Sequence, residues 1–144
     1  MRKRFSTTLG LLVLVTASIA AQTSADKRTI QVDVTYTGSG TVDASHKIYV
    51  ALWDSSDMTG GPPVDVKSLD SKKGTVTFSD VQKVPAYVST AYDPTGHWDA
   101  QSPPPAGSSL GMFGKNPPNP DAIDVAPGKT VKVGVTFSDA VKVP

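Results

Sequence analysis

The chain of 144 residues contains no cysteine. This absence excludes a disulfide framework, a thiolate zinc site and a cysteine nucleophile. Glutamate is also absent, because all 13 acidic residues are aspartate, and an EF-hand loop that ends on a bidentate glutamate is therefore excluded. Leucine, another strong helix former, occurs only three times after residue 20, whereas valine, threonine and serine are abundant. This composition favours strands and turns over helices.

Clustered positive charge is lacking beyond the N-terminus. Residues 2–4 are basic, and residues 1–20 contain no acidic residue. The remaining 124 residues hold 11 basic and 13 acidic side chains, which gives a formal charge of −2. A nucleic-acid-binding protein needs a clustered basic surface. We therefore expect no nucleic-acid partner.

The first 20 residues have the pattern of an export signal. Residues 2–4 are basic, residues 9–15 are apolar, and small residues follow, which predicts cleavage near Ala20 or Ala21. The apolar run is shorter than the roughly 20 residues that span a bilayer. We expect a periplasmic or secreted product with no membrane span after signal removal. The alternative is an uncleaved N-terminal anchor.

The body of the chain has the periodicity of strands. Residues 30–36 and 130–137 alternate apolar and polar side chains, which predicts half-buried strands. Residues 48–53 are apolar on both faces, which predicts a central strand. Further strands are predicted at 75–79, 87–92 and 122–125, with a weak edge strand at 64–69. We expect a single antiparallel β-sandwich over 29–144, after a flexible segment at 21–28.

Two segments of the chain are similar to each other. Residues 76–85 and 135–144 match at eight of ten aligned positions. The simpler interpretation is two strands that each bring a phenylalanine inward and end in an aspartate turn. The alternative is an internal duplication.

A stretch around the fourth and fifth predicted strands carries a family resemblance. A strand with Phe78 is followed by a short Val-Pro connection and by a strand that runs from Tyr87 to Tyr92 and Asp93. Together with the Pro-Gly-Lys turn at 127–129, this stretch resembles the prealbumin-like (transthyretin-like, carboxypeptidase regulatory-like) β-sandwich domains of exported bacterial proteins. The resemblance implies seven strands in a Greek-key sandwich and an accessory or binding role without catalytic residues.

The connection at 93–121 is the main candidate for a binding site. It has no regular pattern and contains seven prolines, and irregular loops of this length are often functional. Aromatic side chains on a stiffened loop can stack on a sugar or pack on a peptide. The alternative is that the large apolar side chains fold back and cap the sandwich. The candidate ligand-binding residues are Tyr92, His97, Trp98, Met112 and Phe113.

Alternating oxygen-bearing side chains in the same loop raise the question of a metal. Asp93, Thr95 and Asp99 are spaced as at the start of a calcium loop, and His97 lies among them. We expect no cofactor, with calcium as the alternative; turn chemistry explains the same residues, and zinc is less favoured because the two histidines, His46 and His97, lie far apart in the sequence. Asp93, His97 and Asp99 are also the only candidates for a small metal-dependent hydrolase. A Gly-x-Ser-x-Gly pattern centred on Ser109 lacks the strand–turn–helix context that a nucleophile requires.

Two aromatic residues lie on the predicted central strand. Tyr49 and Trp53 share one face of residues 48–53, with Ala51 between them. We expect them to be buried between the sheets; the alternative is an aromatic platform for carbohydrate.

The sequence thus predicts an exported, non-enzymatic module that binds a cell-envelope glycan or protein through 93–121. The alternative is a calcium-binding domain or a small hydrolase.

Overall fold

A computed structural model describes residues 26–115 and 118–144. The predicted export signal at 1–20 and most of the segment at 21–28 lie outside these residues. Within the described residues, no helix has the length and the apolar character needed to cross a membrane.

The described chain is all-β, with seven strands in two sheets and no α-helix. Sheet A contains three strands in the order β4-β1-β7, and sheet B contains four in the order β3-β2-β5-β6. The strands are β1 (Thr29–Tyr36), β2 (Ile48–Trp53), β3 (Asp65–Leu69), β4 (Lys73–Ser79), β5 (Tyr87–Tyr92), β6 (Ser109–Met112) and β7 (Thr130–Phe137).

Sheet A is mixed rather than antiparallel. Strand β1 runs antiparallel to β4, with Ile30 opposite Phe78. It runs parallel to β7, with Ile30 opposite Val131. The prediction that all strands are antiparallel is therefore wrong for this pair. Alternation reports which face of a strand is buried, and it carries no information on the direction of the neighbouring strand.

Sheet B is antiparallel throughout. Strand β2 lies between β3 and β5, which confirms the central position predicted for residues 48–53. The weak strand predicted at 64–69 is β3, at the edge of the sheet.

Two strand predictions differ from the structure. Strand β6 lies inside the segment 93–121 that we expected to be irregular, and its short sequence Ser-Leu-Gly-Met is too brief to show a period. The segment 122–125 is not a strand, because it forms only one bridge, between Ala86 and Ile123. Its apolar side chains are nevertheless buried, since Ile123 and Val125 are 3% and 2% exposed.

The inward faces of both sheets contribute to one hydrophobic core. Sheet A supplies residues such as Ile30 and Phe78, and sheet B supplies Ile48, Val50 and Val88. Each of these side chains is at most 1% exposed. Burial of this apolar surface is the main favourable term for the fold, at roughly 25 cal/mol per Å².

The two sheets come close where β6 faces β7. A Cβ atom added at Gly111 would overlap the side chain of Phe137 and lie 2.7 Å from the Thr90 hydroxyl oxygen. Glycine is therefore the residue that fits where β6 approaches the core.

We expect Gly111→Ala to lower the free energy of unfolding by about 2 kcal/mol through overpacking, measured by urea denaturation. Gly134→Ala is the matched control, because nothing lies within 4 Å of a Cβ there; equal losses in the two variants would contradict this explanation.

Residues after β7 cover the free edge of β6. The backbone N–H of Leu110 donates to the carbonyl of Val141 at 2.9 Å, and that of Val143 donates to the carbonyl of Ser108 at 2.9 Å. An unpaired strand edge is a template for aggregation. The segment 141–143 thus protects this edge of sheet B.

The turn after β7 is fixed by Asp139. Its carboxylate accepts hydrogen bonds from the Tyr36 hydroxyl, from the Ser109 hydroxyl at 2.7 Å, and from the backbone and hydroxyl of Ser39, both at 2.9 Å. The bond from Tyr36, followed by those from Ser39 and Ser109, holds the pKa of Asp139 well below its ordinary value. This network joins the end of β1, the start of β6 and the turn after β7.

Candidate functional site

The outward faces of the two sheets differ in chemistry. Sheet A presents hydroxyl, amide and charged side chains, as expected for a solvated face. Sheet B presents aromatic and aliphatic side chains on its outward face as well as on its inward one. The outward residues of sheet A are Thr29, Gln31, Asp33, Thr35, Lys73, Thr75, Thr77, Ser79, Thr130, Lys132, Gly134 and Thr136, and those of sheet B include Tyr49, Ala51, Trp53, Val66, Ala91, Leu110 and Met112.

A groove of about 910 Å³ runs over this outward face of sheet B. Small side chains form the middle of its floor, where Ala51 lies opposite Ser89 and Ala91 lies two residues further along β5. Two loops form the walls: 54–63 contributes methionine and prolines, and 98–104 contributes tryptophan and prolines. This volume falls within the range of small-ligand sites, roughly 300–1,000 Å³.

Trp53 lies at one end of the floor. Its indole N–H donates to the Ser89 hydroxyl at 2.9 Å. Ser89 belongs to the neighbouring strand β5 and lies opposite Ala51. The indole of Trp53 therefore extends from β2 toward β5. The bond fixes the ring and uses its only donor.

Tyr49 and Trp98 meet at the other end of the groove. Their ring centroids lie 4.8 Å apart with an interplanar angle of 78°, the edge-to-face arrangement that aromatic quadrupoles favour. The Tyr49 hydroxyl donates to the carbonyl of Trp98 at 3.1 Å, and the Trp98 indole N–H donates to the carbonyl of Ser102 at 2.9 Å. These contacts join the wall formed by 98–104 to the floor.

Asp93 holds the start of this wall. Its side chain is 1% exposed and accepts hydrogen bonds from the backbone and hydroxyl of Thr95, at 2.8 and 2.7 Å, and from the Trp98 backbone at 3.0 Å. Burial raises the pKa of Asp93, but these hydrogen bonds lower it by more, so the pKa lies below its ordinary value. The carboxylate therefore closes the turn at 93–98 as an anion and positions Trp98.

The groove carries little charge. Among the described residues that line it, only Asp57 is charged at neutral pH. The hydroxyl and backbone of Thr59 donate to this carboxylate at 2.6 and 3.0 Å and hold its pKa below the ordinary value. Other polar side chains lie along the walls, namely Ser56, Thr59, Gln101 and Ser102.

The predicted ligand-binding residues separate into three groups. Trp98 and Met112 line the groove. Phe113 packs against the core, and Tyr92 is buried and donates its hydroxyl to the carbonyl of Thr41 at 2.9 Å. His97 is exposed and is not among the lining residues.

Two aromatic residues of the groove were placed wrongly by the sequence analysis. We expected Tyr49 and Trp53 between the sheets, but both point outward and are half-buried beneath the groove. The period of β2 puts them on the face opposite Ile48, Val50 and Leu52. The sequence contained the information needed for this placement. A strand that is apolar on both faces buries one face in the core, and its other face must be covered by another part of the chain or by a ligand.

The predicted metal ligands serve separate turns. The Asp93 carboxylate accepts a hydrogen bond from the Thr95 hydroxyl. This hydroxyl thus donates its proton within the turn. The Asp99 carboxylate accepts from the Gln101 backbone at 2.9 Å and from Ser102. Across residues 26–115 and 118–144, no group of three or more histidine or acidic side chains is arranged to hold a metal ion.

We expect calcium to leave the thermal stability of residues 22–144 unchanged, because Asp93 and Asp99 accept hydrogen bonds in separate turns and no group of three acidic or histidine side chains converges among the described residues. The measurement is a tryptophan-fluorescence melt in millimolar calcium and in chelator. A site saturated at about 100 times its Kd would add roughly 2.7 kcal/mol, which raises Tm by several degrees for a domain of this size. Such a rise, abolished by Asp99→Ala, would restore the calcium hypothesis.

Ser109 is placed on strand β6 with its side chain 1% exposed. Its hydroxyl donates to Asp139 at 2.7 Å, and aspartate takes the position that a histidine base would occupy in a hydrolase. The Gly-x-Ser-x-Gly pattern therefore lies in a structural network.

Comparison of the chain with family models, with curated proteins and with solved structures found no match. The groove is therefore the feature from which a function can be inferred. Its features are an apolar floor, aromatic ends and walls with few charges.

Proposed function

We propose that this protein is an exported, non-catalytic binding module that holds a cell-envelope glycan or protein partner in the groove of sheet B. The observation that carries the proposal is the apolar outward face of that sheet. Small-ligand sites are concave and are lined mostly by apolar and aromatic side chains with a few polar groups, and the groove has this composition. The contrast with the polar face of sheet A supports this interpretation, since both faces belong to the same chain.

The lining supports binding rather than catalysis. General acid–base chemistry needs a positioned group that can exchange a proton near neutral pH. Asp57 is the one acidic or basic side chain among the described lining residues, and its pKa lies below the ordinary value. A carboxylate held ionised in this way is a hydrogen-bond acceptor.

We further propose that the two sheets form a Greek-key sandwich of the prealbumin-like kind. The strand orders β4-β1-β7 and β3-β2-β5-β6 support this assignment. Strand β4 returns to lie beside β1 after β2 and β3 have paired in the other sheet, and the return of a fourth strand to the side of the first characterises a Greek key.

Export is supported by the sequence of residues 1–20. The basic start, the short apolar run and the small residues before Ala21 predict a cleaved signal and a periplasmic or secreted product. The partner would then be a component of the cell envelope.

A co-sedimentation assay with insoluble envelope material tests the proposed function. We expect residues 22–144 to sediment with the material, and the Ala51→Phe variant to remain in solution, because a phenyl ring would fill the floor of the groove. Ala51 points away from the core, so the variant retains the fold, which a thermal melt checks. Equal sedimentation of the two proteins, or of neither, would exclude the groove as the binding site.

A further inference from the structure

Resting on the proposed function, we propose that the groove binds a neutral glycan chain, which stacks on the rings of Tyr49, Trp53 and Trp98. These three rings lie at the two ends of the groove. The C–H groups on the face of a sugar ring carry partial positive charge, and they meet the negative face of an aromatic ring favourably.

The hydrogen-bond donors of all three rings are already used within the protein. Trp53 donates to Ser89, Tyr49 to the carbonyl of Trp98, and Trp98 to the carbonyl of Ser102. The rings are thus fixed before any ligand arrives, and what they offer is their faces. Fixed side chains reduce the entropy that binding must otherwise overcome.

This use of the donors leaves the three rings without a hydrogen-bond donor for the backbone of a proline-rich peptide. Aromatic-lined grooves that take such peptides provide a complementary surface for a carbonyl-bearing backbone, whose carbonyl groups need donors when desolvated. In this groove both indole N–H groups and the tyrosine hydroxyl donate to the protein itself. A sugar ring that stacks on an aromatic face needs no hydrogen-bond donor from that aromatic ring.

The walls supply the polar groups that sugar hydroxyls require. Ser56 and Asp57 lie on one wall, and Gln101 and Ser102 lie on the other. Sugar hydroxyls both donate and accept, which matches hydroxyl, carboxylate and amide groups. An aromatic floor with small polar groups at its margins therefore fits a ligand with apolar faces and polar edges.

The charge of the groove selects against anionic polymers. Asp57 is the one charged side chain among the described lining residues, and it is negative. A sulfated or uronic-acid chain would meet this carboxylate without a neighbouring cation in the lining. A neutral chain incurs no such repulsion.

The length of the floor fits a chain rather than a single sugar. Tyr49 and Trp53 are four residues apart on β2, and a rise of about 3.3 Å per residue separates their Cα atoms by about 13 Å. A ligand that contacts both rings must extend along β2 between them. An oligosaccharide does so, whereas a monosaccharide contacts one end.

Native affinity electrophoresis tests the proposal. Residues 22–144 are run through gels that contain a soluble β-glucan, an α-glucan or a galactomannan, with hyaluronate as the anionic comparison. We expect at least one neutral polysaccharide to retard the protein and hyaluronate to leave it unretarded. Trp53→Ala should weaken retardation about tenfold, the loss of roughly 1.4 kcal/mol expected when one stacking partner is removed, and Ala51→Phe should abolish it. Gln31→Ala, on the outward face of sheet A, is the matched control and should bind as the wild type does.

The other outcomes overturn the proposal in distinguishable ways. Retardation by hyaluronate equal to that by neutral chains would show that Asp57 does not select against anionic polymers, and it would overturn the assignment of a neutral chain. Unretarded migration in all gels, with groove-dependent binding to envelope material retained, would overturn the glycan assignment and leave the proposed function standing. Titration with a ten-residue polyproline peptide, read by tryptophan fluorescence, would then test the protein-partner alternative. Loss of both activities would overturn both proposals.

Discussion

Replacing Phe78 with alanine should lower the free energy of unfolding by about 4 kcal/mol. Phe78 is the largest side chain in the fully buried set, at 1% exposed, and lies opposite Ile30 on the central strand of sheet A. Removing its ring loses the transfer free energy and leaves a cavity that two flanking sheets cannot fill by small shifts. Urea denaturation followed by tryptophan fluorescence measures the loss as a lower midpoint at an unchanged slope.

The neighbouring residue on the same strand provides the control. Thr77 points outward from sheet A, and Thr77→Ala should change the free energy of unfolding by less than about 0.5 kcal/mol. A loss at Phe78 of about 1 kcal/mol, similar to that of an ordinary surface change, would mean that the two sheets do not share a packed core.

Replacing Asp139 with alanine should cost about 3 kcal/mol. The Tyr36 and Ser109 hydroxyls that donate to this carboxylate belong to residues that are 2% and 1% exposed, so neither finds water readily after the change. A buried polar group left without its partner costs roughly 1–3 kcal/mol. Asp139→Asn keeps an acceptor oxygen and should lose less than Asp139→Ala. Equal stability of wild type and Asp139→Ala would show that the network contributes nothing.

The same network makes stability depend on acid. Because the pKa of Asp139 is lower in the folded protein than in the unfolded chain, its contribution is present above the unfolded value of about 3.9 and is lost as pH falls toward the folded value. Wild-type Tm should therefore fall as pH decreases below about 4. Other aspartates with lowered pKa values, such as Asp93, contribute to the same fall, so the difference between wild type and Asp139→Asn isolates the share of Asp139. Parallel pH curves for the two proteins would contradict this assignment.

Periodicity predicted the strands whose two faces differ. Residues 30–36 and 130–137 alternate cleanly and form β1 and β7, because burial of one face imposes a period of two. The parallel pairing of these strands was not predictable in this way. Strand direction depends on the path of the chain between them, which involves about 100 residues.

The two similar segments show what local sequence leaves open. Residues 76–79 and 135–137 lie in β4 and β7, on either side of β1, and both bring valine and phenylalanine into the core. Their aspartates differ: Asp139 accepts from Tyr36, Ser39 and Ser109, whereas Asp80 has a positive φ of 61°. The partners of Asp139 lie up to 103 residues away. A role set by such distant neighbours cannot be read from the segment itself.

The candidate site was predicted in part. The loop 93–121 supplies Trp98 and Met112 to the groove, as proposed from its length and composition. The floor was missed because we assigned the aromatic residues of β2 to the core, although strand alternation places Tyr49 and Trp53 opposite Val50. The depth of the groove comes from small residues on neighbouring strands, such as Ala51 opposite Ser89. That pairing is a property of strand register, which the sequence does not display.

The pairing of β1 with β7 also determines the order in which the molecule can fold. Strand β1 is central in sheet A, yet one of its neighbours lies about 100 residues later in the chain. Contacts of such long sequence separation slow folding, since the loop must close before the pairing stabilises it. Sheet A therefore cannot be completed on a nascent chain until β7 has emerged. An N-terminal fragment that ends before β7 would leave β1 open on one side.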